Sequence, residues 1–188
     1  MDWLSDCTTN EQAWIEKCAM REPKAQEFIF KHFFGFAMGI SLRYLTNTEL
    51  AQEVVNDSFL KIFDQLPKKV KEIRSFKGWM QKLIVHTAID YFRKEKRHFF
   101  LASLDDTSHV FSSQDYRDYN QSVDDILLMM NQLPPIWKVI FNLNEVEGYS
   151  HEEIGKMLKI PASSSRAYLT KAKQKLRELI NSQNRIIK

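Results

Sequence analysis

Glycine and proline are scarce in this sequence, with only five of each among 188 residues. Because these two residues terminate helices and form the turns between short strands, their scarcity argues against a fold of many short strands and favours long helices. No apolar run approaches the roughly 20 residues of a membrane-spanning helix. The polar N-terminal stretch MDWLSDCTTNEQ does not resemble a signal peptide. We therefore expect a globular, all-α, cytoplasmic protein that does not insert into a membrane.

Residues that could carry catalysis or bind metal are also few and scattered. Cys7 and Cys18 have no His or Cys partner at metal-ligand spacing, so reduced thiols in a cytoplasm are the simplest interpretation. The segment His151-Glu152-Glu153 lacks the second histidine of a zinc-protease HExxH motif, and no glycine-rich phosphate loop is present. An enzyme is therefore the weakest hypothesis, and we expect neither a cofactor nor a metal site.

The formal net charge of +3 is mild, but the charge is unevenly distributed. From Arg166 to the C-terminus seven basic residues stand against Glu178 alone, whereas residues 100–125 carry six aspartates against Arg117. A second basic stretch, FKGWMQKLIVHTAIDYFRKEKR, covers residues 76–97. Two basic stretches separated by an acidic one suggest two contacts with a single polyanion, such as a nucleic acid.

The stretch 76–97 has the apolar recurrence of a helix with one buried face. Its predicted buried residues are Phe76, Met80, Leu83, Ile84, Ala88, Tyr91 and Phe92. The opposite face is basic at both ends, so it is either a solvated surface or a surface that follows a phosphate backbone with bases close by. Trp79 lies one turn into this helix, and we interpret it as a core residue in preference to a platform for base stacking.

The first half also predicts helices over residues 11–20, 23–44 and 49–66. We expect Thr46-Asn47-Thr48 to cap the third of these, and Pro67 to end it. Its predicted buried side consists of Ala51, Val54, Val55, Ser58, Phe59, Ile62, Phe63 and Leu66. Its outer side is polar and mostly acidic, which suits a protein partner but is also typical of a plain solvated face.

Periodicity is lost over residues 99–122, which predicts a linker between two domains, residues 1–98 and 123–188. In the second domain we expect helices over 123–132 and 136–146, closed by Gly148. Ser150 and Glu153 then form a capping-box pattern that opens a short helix. After a turn at Ile160-Pro161, a basic helix runs from about 162 to 180. Helix, tight turn and basic helix predict a helix-turn-helix whose second helix would enter a DNA major groove.

Taken together, the two halves resemble an extracytoplasmic-function sigma factor of bacterial RNA polymerase. In the first half, AQEVVNDSFLKIF and FKGWMQKLIVHTAIDYFRKEKR resemble two characteristic stretches of that family. In the second half, LPPIWKVIFNLNEVEGYSHEEIGKMLKIPASSSRAYLTKAKQKLRELI follows its Leu-Pro…Glu-Gly-Tyr-Ser…Glu-Ile pattern. The resemblance covers nearly the whole chain outside the linker and the extreme ends.

The resemblance implies a subunit of RNA polymerase with three interaction surfaces. The core-polymerase surface would dock on the clamp helices of the largest subunit through Gln52, Glu53, Asn56 and Asp57. The −10 promoter surface would comprise the loop 68–75 with Lys77, Lys82, His86, Thr87, Arg93, Lys94, Lys96 and Arg97. The charged members would contact phosphates, and His86, Thr87 and the loop would lie near bases. The −35 surface would comprise Ser164, Arg166, Ala167, Tyr168, Thr170 and Lys171.

Within the −35 surface, Arg166 is the predicted base reader, through bidentate bonds to guanine. The resemblance also implies a contact with the flap of the second-largest polymerase subunit. An inhibitory anti-sigma protein is common in this family, and the sequence neither shows nor excludes one.

Several residues depart from the family pattern. His86 stands where asparagine is frequent, and this difference bears on base preference at the −10 element. Lys159 replaces the usual glycine of the helix-turn-helix turn, where a left-handed conformation costs on the order of 1 kcal/mol. Ser163 and Ser165 replace glycine and valine, so we expect looser packing beneath the recognition helix.

One further hypothesis remains besides the enzyme considered above. A free-standing helix-turn-helix regulator would bind duplex DNA without polymerase, but it would need a ligand-binding or phosphoacceptor domain in the first half. No pattern for such a domain is visible there. A promoter-specificity subunit that acts through core polymerase explains both halves of the chain.

Overall fold

The computed structural model describes residues 11–45, 47–102 and 129–186; side chains are described within these ranges except for 95–102 and 183–186. The described part is all-α and contains no strand, which confirms the predicted fold class. No described helix is long and apolar enough to cross a membrane. The helices are α1 Glu11–Ala19, α2 Pro23–Tyr44, α3 Thr48–Lys69, α4 Phe76–Ala102, α5 Pro135–Phe141, α6 His151–Leu158 and α7 Ala162–Ile186, with a π-helical turn at Asn142–Val146.

The chain divides into two compact units. Within the described residues, the first unit holds 11–42 and 47–90, and the second holds 43–45, 91–102 and 129–186. In the second unit Arg43 pairs with Glu147, with 3.3 Å between Nη1 and Oε1.

The core of the first unit is built from the apolar stripes of α2, α3 and α4. Fully buried side chains include Ile29, Phe59, Ile62, Met80 and Ile84. Each such side chain contributes about 1.5 to 3 kcal/mol by leaving water. These stripes therefore fix which faces of α3 and α4 remain at the surface.

Helix α3 begins as predicted but ends later. Asn47 is its N-cap, and the Asn47 side chain accepts hydrogen bonds from the amides of Glu49 and Leu50 at 2.7 and 3.1 Å. The prediction that Pro67 ends the helix is wrong, because the helix continues to Lys69 with Pro67 inside it. Proline removes only its own amide bond in this last turn, and the amide of Val70 still bonds the Leu66 carbonyl at 2.9 Å.

Helix α4 also runs further than predicted, from Phe76 to Ala102. Residues 99–102, which the sequence placed in the linker, are therefore helical. The rest of the predicted linker, 103–122, and the start of the predicted helix 123–132 lie outside the described residues. The division into domains 1–98 and 123–188 stays a prediction.

The core of the second unit lies between α5, α6 and α7. Ile140, Leu143, Ile154 and Leu158 are fully or almost fully buried. A smaller cluster joins Met130, Leu133 and Ala172, against which Trp137, Phe141 and Leu176 pack. The predicted helix 136–146 is thus found, but its second half is π-helical because the Glu147 amide bonds back to the Asn142 carbonyl at 3.0 Å. Gly148 ends this stretch with a left-handed φ of 78°, as expected.

Candidate nucleic-acid and partner interfaces

The helix-turn-helix predicted for the second half is present as α6, a short turn and α7. Its first helix opens with the predicted capping box: the Ser150 Oγ accepts from the Glu153 amide at 3.3 Å, and the Ser150 amide donates to the Glu153 carboxylate at 2.8 Å. Two amides at the helix start are satisfied in this way. The box therefore fixes where α6 begins and how it meets the preceding chain.

The turn between α6 and α7 is tight because Gly155 has no side chain. A Cβ built on Gly155 would lie 2.8 Å from the carbonyl oxygen of Ile160. Lys159 occupies the left-handed region at φ 56° and ψ 47°. The strained conformation considered from the sequence is therefore real, and it lets the chain reverse within three residues.

The exposed face of α7 carries most of the predicted −35 residues. Arg166, Ala167, Thr170 and Lys171 are exposed, and Ser164 and Tyr168 are half-buried. The opposite face is buried through Ser165, Leu169 and Ala172. Helical periodicity thus turns the predicted −35 residues outward together.

Two consecutive residues of α6 contact two consecutive residues of α7 across the turn. The Nδ1 of His151 lies 2.9 Å from the Oγ of the fully buried Ser165. The Nη1 of Arg166 donates to Oε1 of Glu152 at 3.1 Å. A hydrogen bond from its own backbone amide and one from Arg166 hold the pKa of Glu152 below its ordinary value. Ser165, where we expected looser packing, is therefore held by a hydrogen bond, while Ser163 is exposed.

Further along α7, basic side chains have partners within the second unit. The Nζ of Lys173 lies 2.8 Å from Oε1 of Glu145. The Nζ of Lys171 lies 5.9 Å from the centre of the Trp137 ring. Both contacts leave these side chains near the surface, where cations can meet phosphates.

The predicted −10 surface is brought together only in part. Lys77, Lys82, His86 and Lys94 are exposed along α4. Lys77 lies over the Phe36 ring at 4.6 Å, and Lys94 lies 5.2 Å from the Tyr91 ring. The side chains of Lys96 and Arg97 lie outside the described residues.

Two residues assigned to this surface have internal partners. Thr87 is 1% exposed, its hydroxyl donates to the Leu83 carbonyl at 2.9 Å, and it accepts from Lys61 at 3.0 Å. Its hydroxyl therefore supports α4 from inside and presents no group to a base. Arg93 is half-buried and donates to the Met157 carbonyl at 3.2 Å, within the second unit.

The loop between α3 and α4 is short and exposes Lys71, Arg74 and Ser75. The Ser75 hydroxyl accepts from the Gly78 amide at 3.2 Å, and its carbonyl accepts from the Trp79 amide at 3.0 Å. Ser75 thus anchors the loop to the start of α4. Trp79 is half-buried beside Phe76, with ring centres 5.9 Å apart, so its interpretation as a core residue stays a prediction.

The outer face of α3 exposes three of the four predicted core-binding residues. Gln52, Glu53 and Asn56 are exposed, and Asp57 is half-buried. Leu60 is 68% exposed, and helical spacing places it on this same face, about one turn after Asn56. Sequence reasoning missed Leu60, although an apolar residue on the polar side of an amphipathic helix was a visible signal.

Two family models match parts of this chain. The family model for sigma-70 region 2 matches residues 29–98, and the model for sigma-70 region 4 matches residues 124–176. The region 2 match covers α3, the following loop and most of α4, and the region 4 match covers the helix-turn-helix up to residue 176 of α7.

Several curated relatives are sigma factors. RNA polymerase sigma factor SigV of Bacillus subtilis is 28% identical over 118 residues, covering 63% of this chain and 68% of that protein. The ECF RNA polymerase sigma-E factor of Haemophilus influenzae is 23% identical over 189 residues, covering 90% of this chain and 95% of that protein. RNA polymerase sigma factor CarQ of Myxococcus xanthus is 28% identical over 157 residues, covering 83% and 89%.

Among solved structures, sigma factor RpoE from Bartonella quintana, in complex with the anti-sigma factor NepR, aligns with 82% of this chain and 96% of its own. The sequence identity is 14% and the TM-score 0.47. The assignment rests on the two family regions, in the expected order, and on relatives matched over most of their length. The chain belongs to the sigma-70 family, and it is an RNA polymerase sigma factor of the extracytoplasmic-function group.

Proposed function

We propose that this sigma factor binds core RNA polymerase through the outer face of α3 and directs it to promoters through α4 and α7. In this proposal α4 and the loop before it hold the −10 element, and α7 reads the −35 element. The protein supplies no catalytic group of its own. The observation that carries the proposal is the face of α7, where Arg166 and its neighbours point outward from a capped, tightly turned helix-turn-helix.

The proposed reading of the −35 element follows from the shape of the second unit. A helix-turn-helix places the N-terminal part of its second helix against base edges in the major groove. Arg166 lies in the second turn of α7 and its side chain is 56% exposed. A guanidinium can donate two bonds to the O6 and N7 atoms of guanine, which is the commonest specific contact to a base.

The proposed capture of the −10 element rests on exposed cations beside a short loop. Lys77 and Lys82 would bind phosphates, and each such contact adds to the salt dependence of binding. The exposed His86 and the exposed loop residues Lys71 and Arg74 would lie near the unstacked bases. Thr87 has no part in this surface, because it is buried.

The proposed docking surface on α3 combines an exposed apolar residue with polar residues on the same helix face. Leu60 is the apolar residue, and Gln52, Glu53 and Asn56 are the polar residues one to two turns before it. Interfaces commonly take most of their binding energy from a few central residues, while the surrounding polar residues exclude water. We therefore add Leu60 to the surface that would contact the clamp helices of the largest polymerase subunit.

Further partners enter the proposal through the family relationship. The second unit would contact the flap of the second-largest polymerase subunit, and an anti-sigma protein would regulate the factor. Both contacts, like promoter binding, would take place in the cytoplasm.

Transcription with purified components tests the proposal directly. The protein should bind duplex promoter DNA weakly alone and should support run-off transcription when added to core polymerase on a genomic template. Tight, specific DNA binding without polymerase, and no transcript with it, would favour the free-standing regulator.

Two matched pairs of variants test which surface reads the −35 element and which binds core polymerase. Arg166→Ala should abolish dependence on the −35 sequence while core affinity is unchanged, and Arg177→Ala, an exposed arginine later in α7, should change little. Leu60→Ala should weaken core binding by about 5- to 30-fold. Met20→Ala, in the same unit and 72% exposed, should leave core binding intact. Equal loss of core affinity in Arg166→Ala and Leu60→Ala would show that the surfaces are wrongly assigned.

A further inference from the structure

The ion pair between Glu152 and Arg166 joins the first helix of the helix-turn-helix to the proposed base reader. The side chain of Glu152 is 65% exposed and that of Arg166 is 56% exposed. An ion pair this exposed contributes little to folding stability, because water and salt screen it. The ion pair matters because it restricts the position of the Arg166 guanidinium.

The position of Glu152 is set by rigid neighbours. The capping box of Ser150 and Glu153 fixes the first turn of α6 on which Glu152 stands. The adjacent pair, His151 with the buried Ser165, fixes the same turn against α7 at 2.9 Å. The carboxylate of Glu152 is thus presented to Arg166 from a backbone that is tied to α7 one residue away.

Arg166 has enough N–H donors to bond Glu152 and a DNA base at the same time. A guanidinium has five N–H donors in a planar fork, and guanine takes two of them. The contact with Glu152 uses Nη1 and one carboxylate oxygen. Since holding a flexible side chain before binding lowers the entropy lost on binding, a pre-positioned arginine should discriminate bases better than a freely rotating one.

We propose that Glu152 is a positioning residue for Arg166, which holds the guanidinium in the orientation that reads guanine in the −35 element. This inference rests on the proposed function, because it requires Arg166 to contact a base. Glu152 itself need not touch DNA. Its negative charge also disfavours the approach of phosphates to the same spot, so removing it should cost base discrimination and not general affinity for DNA.

Selection from a duplex library with a randomised −35 segment tests the inference with the holoenzyme. The wild-type protein should enrich guanine at one position, and Arg166→Ala should lose that enrichment, which identifies the position. Glu152→Gln should then reduce the preference for guanine there by about 2- to 10-fold, with affinity for unrelated duplex unchanged or raised. Glu178→Gln removes the same charge on α7, where the carboxylate contacts Gln174 at 3.2 Å, and should leave the preference intact.

A double-variant cycle separates positioning from a general structural effect. In an Arg166→Ala background, Glu152→Gln should produce no further change in base preference, because its effect passes through the arginine. Equal losses with and without Arg166, or unchanged preference in Glu152→Gln alone, would overturn the inference. If Arg166→Ala changes no base preference, the proposed reading of the −35 element fails, and the role of Glu152 fails with it.

Discussion

A single added methyl group should have opposite effects at two glycines of this protein. Gly155 lies in α6 and Gly39 lies in α2, both inside helices, where replacing glycine by alanine gains up to about 1 kcal/mol of helix stability. An added Cβ at Gly39 meets nothing within 4 Å. Gly39→Ala should therefore stabilise the first unit by about 0.5 to 1 kcal/mol.

At Gly155 the same change should destabilise the protein. Its Cβ would lie 2.8 Å from the Ile160 carbonyl oxygen and 3.5 Å from the Ala162 amide nitrogen. Both neighbours are backbone atoms, and the Ile160 amide is itself bonded to the Gly155 carbonyl at 3.0 Å. Overpacking of this kind costs about 1 to 3 kcal/mol, which exceeds the gain in helix propensity. Gly155→Ala should thus lower the stability of the second unit by about 1 to 2 kcal/mol.

Native-state hydrogen exchange measures the two effects in one molecule, because it reports opening free energies for the amides of each helix. Protection should rise in α2 for Gly39→Ala and fall in α6 and α7 for Gly155→Ala. Displacement of α7 should also reduce dependence on the −35 sequence in the transcription assay. If Gly155→Ala protects α6 as much as Gly39→Ala protects α2, the close approach at the turn is not a constraint.

Two predictions concern lysines of the second unit. Burial lowers the pKa of Lys138 to about 8, from an ordinary value of 10.5, and its Nζ bonds Asn131 at 2.7 Å. The charged form is disfavoured only in the folded state. Burial of Lys138 therefore lowers the free energy of unfolding by up to about 3 kcal/mol below pH 8, and this loss disappears as the pH rises from 8 towards 10.5. Lys138→Met should therefore raise stability at neutral pH and remove this pH dependence in denaturant unfolding. Lys156→Met, at an exposed position, should do neither. An unchanged pH dependence in Lys138→Met would contradict the lowered pKa of Lys138. Lys159→Gly should stabilise the same unit by about 1 kcal/mol, because glycine adopts the left-handed conformation without strain. Lys156→Gly, inside α6, should destabilise the unit by about as much. Similar effects of the two substitutions would show that the conformation at Lys159 is not strained.

The positions and buried faces of the helices were largely predictable from the sequence, whereas the ends of α3, α4 and α7 lie beyond the predicted ones. The periodicity of residues 49–66 predicted the buried side of α3, and all of its members except the half-buried Phe63 lie in the core. The capping box at Ser150 and the turn near Ile160 predicted where α6 and α7 lie. These features are local, because they depend on residues within one or two turns of each other. A local pattern can be recognised in a single sequence.

Other positions depended on contacts between distant parts of the chain. Thr87 follows the exposed His86 and looks equally available in the sequence, but α3 covers it and Lys61 bonds it. Pro67 has the residue type that ends helices, yet the helix continues past it. Whether a polar side chain faces a neighbouring helix is decided by packing. Pro67 is tolerated for a local reason, because a proline in the last turn removes only its own amide bond.

The basic helix α7 shows both what the sequence determined and what the tertiary structure decided. Its sequence determined that α7 is a helix, that its charge is positive and that Arg166 stands on the outer face, because 3.6-residue periodicity and composition fix those properties. Only the tertiary structure decided that Glu152, fourteen residues earlier, meets Arg166 at 3.1 Å. That distance depends on the left-handed Lys159 and on the missing side chain of Gly155, which together bring the start of α6 alongside the start of α7.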